Sequence, residues 1–303
     1  MRGGLSAAAV VGLLGTCAWL WGTESGGRAR ESIRQELRDQ VYGEGEMVPE
    51  VRRDERKPGA HRPRLRTVGE DVPEALRVVF VGNSHSSHNA MTVEIAELAR
   101  AAGQRPLYGA LLLRNGARFQ DHLQRGRVTE VLAQARWDVL VLQEQQQWAS
   151  FNASQRAREM IAPARVFDLA AEGAGARTVV MATWARRDGD LHNRPDDSFA
   201  AMHARLMVGY RELRDELGAT LAPVAVAWKR AHEQRPELPL WADDGMHPAP
   251  GGSYLAACVL YQVLYGKPAL GIPYAGGLEA TDAQFLQSVA ASVHAAADAP
   301  LEP

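Results

Sequence analysis

The sequence predicts an α/β domain in which helices cover both faces of a parallel β-sheet. From Leu76 onward, short and continuously apolar segments alternate with longer segments whose apolar residues recur at helical spacing. Strands without polar alternation are typical of parallel sheets, whose two faces are both buried. Hydrophobic residues make up 46% of the 303 residues, so the chain can fill the core that such a domain needs.

Five strands and their connecting helices are expected in order along the chain. The strands are LRVVFV, LYGALLL, WDVLVLQ, RTVVMATW and APVAVAW, each a short apolar run. The first helix, NAMTVEIAELARAAG, ends at Gly103, and glycine commonly stops a helix. Further helices are expected over residues 119–134, 154–172 and 197–217, in GSYLAACVLYQVLYG, and over residues 282–297.

The region before Leu76 indicates export. Residues 5–22 form an uncharged apolar run after Arg2, which is the pattern of a signal peptide or, if it is not cleaved, of a membrane anchor. Residues 23–75 are highly charged and contain proline, so we expect a linker there and the folded domain over residues 76–303. The expected location is periplasmic or extracellular, with membrane contact only through the N-terminal segment.

Charge and cysteine content exclude several classes of function. The net charge is −2 and the pI is about 6.5, whereas a nucleic-acid-binding domain usually carries a basic face. Two cysteines are too few for a disulfide framework, and their spacing does not indicate a zinc site. The sequence leaves the oligomeric state open.

A serine stands where a parallel sheet usually carries its chemistry. Ser84, in VGNSHS, follows the first strand directly and precedes a helix, and ligands bind at the carboxyl ends of such strands. The main-chain amides of a helix N-terminus can stabilise negative charge there. The alternative is a structural serine that caps the helix.

A base for that serine is available late in the chain. Serine is a poor nucleophile until a base takes its proton, and the base needs an orienting partner. In DGMHP, a spacing of three lets the Asp244 carboxylate reach one imidazole nitrogen of His247 while the other nitrogen faces outward. Asp243 is the less favoured partner because of its spacing.

These two motifs, at these positions, resemble the SGNH (GDSL-like) hydrolase family. The resemblance covers about residues 76–297 and implies a flavodoxin-like, three-layer α/β/α fold with a five-stranded parallel sheet. It also implies that Ser84 is the nucleophile, that Asp244 and His247 complete a catalytic triad, and that the enzyme needs no metal or cofactor.

The family's two middle motifs fit this sequence less closely. Gly116, in LLLRNGARF, is similar to the glycine that gives an amide to the oxyanion hole, beside the amide of Ser84. The third motif usually reads Gly-x-Asn-Asp, but here LQEQ follows the third strand. Gln145 therefore takes the place of the oxyanion asparagine, and Gln143 takes the place of the glycine. The LQEQ variant is similar to a divergent bacterial branch of the family.

Three further residues are candidates for the substrate cleft: His85, Gln143 and Trp184. For Trp184 the alternative is packing beneath a loop. His85 and His88 could form a metal site with His192 or His247, but pocket-lining or surface histidines are favoured over this because no metal-binding motif accompanies them. Glu144 is expected to point away from the oxyanion hole.

The expected activity is that of a serine esterase. By resemblance, it hydrolyses a carboxylic O-acyl ester of a small molecule or of an extracytoplasmic glycan, through an acyl-enzyme. One alternative is transfer of the acyl group to a sugar hydroxyl. A second is a non-catalytic glycan-binding or scaffold domain, which a distance of more than about 5 Å between Ser84 and His247 would favour.

Overall fold

The sheet lies at the centre of the computed structural model, which describes residues 65–294. Its strands are β1 (Arg66–Val68), β2 (Leu76–Gly82), β3 (Leu107–Leu113), β4 (Val139–Leu142), β5 (Arg177–Met181) and β6 (Thr220–Ala222). They form one sheet in the order β1-β3-β2-β4-β5-β6. Neighbouring strands run parallel except β1, which pairs antiparallel with β3. This is the predicted α/β class.

Helices connect the strands. They are α1 (Ser84–Ser87), α2 (Met91–Ala101), α3 (Phe119–Arg125), α4 (Arg127–Gln134), α5 (Ala153–Arg156), α6 (Ala162–Gly173), α7 (Phe199–Leu217), α8 (Val224–Gln234), α9 (Pro250–Tyr265) and α10 (Ala280–His294). Short 3₁₀ turns cover His88–Ala90 and Trp148–Ser150, and one π-helical turn, Ala157–Ile161, joins α5 to α6.

The central strand β2 shows how the sheet separates two hydrophobic cores. Val78 and Phe80 face a core that α2, α8, α9 and α10 complete, whereas Val79 and Val81 face a second core completed by α3, α4, α6 and α7. All four side chains are essentially inaccessible to solvent. Because successive strand residues point to opposite faces, the continuous apolar run of β2 fills both cores, and the fold has three layers.

The structure corrects the number of strands and the position of one of them. The sheet has six strands because it begins at Arg66, inside the stretch assigned to the linker, with the short antiparallel edge strand β1. The predicted fifth strand, APVAVAW, is mostly helix: β6 ends at Ala222, Pro223 interrupts it, and α8 begins at Val224. Periodicity alone cannot separate a short apolar run in a strand from one in a buried helix.

The helix predicted over residues 119–134 is two helices. The chain breaks at Gly126, where φ is +65°, a left-handed conformation that glycine adopts without steric cost. Glycine is a common helix stop, so Gly126 is the sequence signal for this break.

Two N-terminal predictions fall outside the described residues: the signal peptide or anchor of residues 1–22 and all of the linker before residue 65. The end of the last predicted helix, beyond residue 294, also lies outside them. Between residues 65 and 294, no helix is both long and apolar enough to cross a bilayer.

Candidate active site

Ser84 is the first residue of α1 and follows β2 after a single residue, Asn83. Asn83 caps the helix: its Oδ1 accepts the main-chain N–H of His85 at 3.1 Å, and its Nδ2 donates to the carbonyl of Ala117 at 3.0 Å. Because Asn83 is the cap, the Ser84 hydroxyl does not have that structural task. The serine side chain is therefore held at the carboxyl end of the central strand with its hydroxyl available.

The structure brings the three residues of the expected triad together. The Ser84 hydroxyl and His247 Nε2 are 2.9 Å apart, and His247 Nδ1 and Asp244 Oδ2 are 2.6 Å apart. A carboxylate can only accept a hydrogen bond, so Nδ1 carries a proton and Nε2 is left as the acceptor for the serine. This is the tautomer that a general base toward Ser84 requires.

Local geometry holds Asp244 in place. Its Oδ1 accepts the main-chain N–H groups of Met246 and His247, each at 2.9 Å. Partial burial alone would raise the pKa of this carboxyl, but the hydrogen bonds from the His247 side chain and from these two amides lower the pKa to about 2. Asp244 is therefore an anion throughout the neutral range. Asp243 is exposed and makes no side-chain contact with the imidazole.

Trp184 supports the loop that carries Asp244 and His247, and it does not line the substrate cleft. The indole is fully buried, stacks on Trp228 with 3.9 Å between ring centroids, and donates its N–H to the carbonyl of Met246 at 3.1 Å. The prediction of a cleft residue is wrong here, because the packing alternative holds.

A pocket of about 290 Å³ opens beside the serine. It is lined by Asn83, Ser84, His85, His88, Asn115, Gly116, Gln145, Met246 and His247. Of the three predicted cleft residues, only His85 belongs to it. Asn115 and Met246 were not predicted to line the pocket, although each is next to a predicted site residue, and for His88 pocket lining was one of two alternatives.

Two main-chain amides in the lining of the pocket have no hydrogen-bond acceptor among the residues that the structure describes. Among residues 65–294, the N–H groups of Ser84 and Gly116 make no hydrogen bond. Gly116 is the third residue of the turn closed by the Ala117 N–H and the Arg114 carbonyl, and its φ of +68° favours glycine. Both amides are therefore free to bind an anion in the pocket.

Gln145 brings a third donor to the same pocket. Its Oε1 accepts the main-chain N–H of Gln147 at 3.0 Å, and its Nε2 donates to Gln147 Oε1 at 3.2 Å. A primary amide has two N–H donors, so one remains. Gln147 is itself held by Asp190, whose Oδ1 accepts from Gln147 Nε2 at 2.8 Å. The side chain of Gln145, which is longer than that of asparagine, is thus held in place by Gln147.

Gln143 lies beneath the serine turn instead of in the cleft, so this second cleft prediction is also wrong. Its side chain is buried, and its Oε1 accepts the Asn83 N–H at 3.0 Å and the Ser86 hydroxyl at 2.9 Å. Its Nε2 donates to Asn83 Oδ1 at 3.1 Å. In the place of a glycine, the chain has a side chain that folds back and fastens the turn.

Glu144 points away from the pocket. Its buried carboxyl accepts the main-chain N–H of Phe119, at the start of α3, and that of Gln145 at 2.6 Å. Burial raises the pKa of this carboxyl well above its usual value. The hydrogen bond to Gln145 helps to set the main chain from which the third donor projects.

Three histidine rings meet at the serine, but they do not form a metal site. The His247 ring lies 5.5 Å from that of His85 and 4.3 Å from that of His88, between centroids. Both nitrogens of His247 are engaged, one by Asp244 and the other by Ser84, so this ring is committed to the triad. Between residues 65 and 294, no cluster of histidine, cysteine or acidic side chains is arranged to hold a metal, and His192 is an exposed residue outside the pocket.

Solved structures share this fold. A candidate SGNH hydrolase from Slackia heliotrinireducens is 29% identical, with a TM-score of 0.52 over 62% of this chain and 98% of its own. A DUF4886 family protein from Bacteroides uniformis is 17% identical, with a TM-score of 0.60 over 72% of this chain and 94% of its own. The second likeness supports the fold alone.

An acetylxylan esterase from Geobacillus stearothermophilus is more distant, at 13% identity and a TM-score of 0.48 over 64% of this chain and 96% of its own. No protein-family model and no curated protein sequence matches the chain.

Proposed function

We propose that this chain, an SGNH/GDSL-like serine hydrolase, cleaves carboxylic O-acyl esters through an acyl-enzyme on Ser84. That it is a hydrolase of this type follows from the likeness to the Slackia protein and from the shared α/β/α fold. The proposal for its chemistry rests on one observation: the Ser84 hydroxyl is 2.9 Å from an imidazole that Asp244 holds in the correct tautomer. That distance is well inside the limit of about 5 Å beyond which a non-catalytic domain would be favoured.

In the first half of the reaction, Ser84 Oγ attacks the ester carbonyl as His247 Nε2 takes the hydroxyl proton. Asp244 stabilises the imidazolium that forms. Negative charge develops on the former carbonyl oxygen, and the amides of Ser84 and Gly116 and the free N–H of Gln145 stabilise it. His247 then returns the proton to the leaving alcohol.

The second half of the reaction repeats these steps with water. Water enters the pocket once the alcohol has left, His247 takes its proton, and the resulting hydroxide attacks the acyl-enzyme. Collapse of the second tetrahedral intermediate releases the carboxylic acid, and His247 returns the proton to Ser84 Oγ. If a sugar hydroxyl replaced the water, the same steps would transfer the acyl group, so the products distinguish the two outcomes.

The assignment of the nucleophile is tested with a fluorophosphonate and a series of p-nitrophenyl esters of increasing acyl length. We expect the protein to be labelled once and to hydrolyse at least one ester. Both activities should vanish in Ser84→Ala and persist in Ser86→Ala and Ser87→Ala, which are matched controls on the same short helix. Unchanged labelling of Ser84→Ala would exclude the proposed nucleophile.

We also propose that the substrate is an ester on a glycan outside the cytoplasm. Support comes from the uncharged apolar run of residues 5–22, which is typical of an exported chain, and from the side chains of His88, Asn115 and Gln145, which bring hydrogen-bonding groups to the lining of the pocket. We expect the full-length protein to be exported and to fractionate with membranes if residues 1–22 are retained. Full-length protein found wholly in the cytosol would contradict the location.

A further inference from the structure

His88 contacts both the nucleophile residue, Ser84, and the base, His247. Its Nδ1 is 2.9 Å from the main-chain carbonyl of Ser84, and its ring stacks on the His247 ring at 4.3 Å with 22° between the planes. A carbonyl can only accept, so Nδ1 carries the proton and Nε2 presents a lone pair. The residue is half-buried and lines the pocket.

The two residues directly after His88 have strained backbone conformations. Asn89 and Ala90 have φ values of +49° and +50°, in the left-handed region that residues with a Cβ rarely occupy, and they are the two residues other than glycine that do so between residues 65 and 294. Asn89 Nδ2 donates to the Pro248 carbonyl and to the Ser253 hydroxyl, both at 2.9 Å. These bonds fasten the His88 segment to Pro248, the residue after His247, and to α9. Strain retained beside a reactive group is a reason to look for a function.

The second nitrogen of His88 has no structural task. Within the described part of the chain, His88 makes one side-chain hydrogen bond, through Nδ1. Nε2 therefore remains an open acceptor on a ring that borders the pocket. By contrast, both nitrogens of the neighbouring His247 are engaged in the triad.

The alcohol half of an ester must lie on this side of the pocket. In the proposed reaction, His247 Nε2 delivers a proton to the leaving oxygen, so that oxygen comes within hydrogen-bond distance of the imidazole on which His88 stacks. The oxyanion donors Gly116 and Gln145 bind the carbonyl oxygen instead. A group attached close to the ester oxygen on the alcohol half would then reach His88.

We propose that His88 Nε2 accepts a hydrogen bond from a free hydroxyl next to the ester oxygen, so that the enzyme selects esters of polyhydroxylated alcohols. The assignment rests on the proposed function, because it needs an ester in the pocket. It makes His88 a specificity residue for the alcohol, outside the triad and the oxyanion hole.

The test compares two esters that share one acyl group, the acyl group cleaved fastest in the p-nitrophenyl series. One is the 2-hydroxyethyl ester and the other is the 2-methoxyethyl ester, in which the hydroxyl donor is blocked. For the full-length protein we expect kcat/KM to be about three- to tenfold higher for the hydroxy ester, the effect of one neutral hydrogen bond. In His88→Phe, which keeps an aromatic ring against His247 but has no acceptor, the ratio should fall to about one.

The p-nitrophenyl ester has no such hydroxyl. Its kcat/KM in His88→Phe therefore measures how much activity is lost because the contacts of His88 with Ser84 and His247 have changed. His192→Phe replaces an exposed histidine outside the pocket and should keep the wild-type ratio. A wild-type ratio of one overturns the inference but leaves the esterase standing, if p-nitrophenyl esters are cleaved. A raised ratio that survives in His88→Phe overturns the assignment to this residue. Failure to cleave any ester overturns the proposed function and this inference together.

Discussion

The two sides of Ser84 are built in different ways. On the side of the base, Asp244 and His247 are three residues apart, and one short turn supplies the hydrogen bonds that orient them. On the oxyanion side, Gln143, Glu144 and Gln147 each contact a different part of the fold, and Gln145 is held by Gln147. Gln143 holds a residue 60 positions earlier in the chain, and Gln147 holds one 43 positions later. The first side is local in sequence and the second depends on the tertiary structure.

This difference determines on which side a single substitution should reduce activity more. The base needs one tautomer, and one carboxylate sets it. The proposed oxyanion hole has three donors, two main-chain amides and one side chain, so loss of the side chain would leave the other two donors in place. We therefore expect substitutions on the side of the base to be more damaging than those on the other side.

The largest effect is expected for Asp244→Asn. An amide in this place can donate to His247 Nδ1 and stabilise the wrong tautomer, so Nε2 would no longer accept the serine proton. We expect kcat for a p-nitrophenyl ester at neutral pH to fall by about 10⁴-fold. Asp243→Asn, a change of the exposed neighbour, should stay within about twofold of wild type. A loss shared equally by the two variants would show that the partner of His247 is wrongly assigned.

The next effect is expected for Gln145→Ala. Its free N–H is proposed to bind the oxyanion fully only in the transition state, so kcat should fall by about ten- to a thousandfold with little change in KM. Gln145→Glu should be at least as damaging, because a carboxylate repels the oxyanion. Gln147→Ala removes only the group that fixes the amide and should cost less. Wild-type kcat in Gln145→Ala would mean that main-chain amides form the oxyanion hole alone.

Gln143→Ala should affect stability more than Gln145→Ala does. It leaves the Asn83 N–H and the Ser86 hydroxyl buried without their acceptor, which typically costs about 1–3 kcal/mol in the free energy of unfolding. Gln145 is only half-buried, so its loss should stay near 0.5 kcal/mol. Denaturation in urea measures both. We expect Gln143→Ala to lower kcat too, but by less than Gln145→Ala. Equal stability of the two variants would refute the role of Gln143 as an anchor of the turn.

The contrast between local and long-range contacts also explains what the sequence could predict. The alternation of strands and helices, the position of Ser84 and the spacing of Asp244 and His247 are all local signals, and the structure agrees with each of them. The burial of Gln143 and Trp184 is set by partners from other elements, so both were misplaced in the cleft. The short strand β1 carries too few apolar residues to signal a strand, and α8 has the apolar composition of one.

Finally, we expect the stability contributions of one buried group on each side of Ser84 to change with pH in opposite directions. His85, on the side of the base, is buried, and burial lowers its pKa from 6.5 to about 3. The unfolded chain therefore binds a proton below pH 6.5 that the folded chain does not, so stability from this residue is present above pH 6.5 and is lost as the pH falls toward 3. On the oxyanion side, burial raises the pKa of Glu144 above its usual 4.5, so the stability linked to this residue is present below pH 4.5 and is lost as the pH rises through its raised pKa.

Each of these two groups changes the free energy of unfolding by about 1.4 kcal/mol per pH unit within its own pH window. We expect urea denaturation to show that the free energy of unfolding of His85→Gln rises relative to that of the wild type as the pH falls below 6.5. Glu144→Gln keeps an acceptor for the amides of Phe119 and Gln145, and its free energy of unfolding should rise relative to the wild type as the pH rises above 4.5. Parallel curves for the wild type and either variant would show that this group has the same pKa in the folded and unfolded chains.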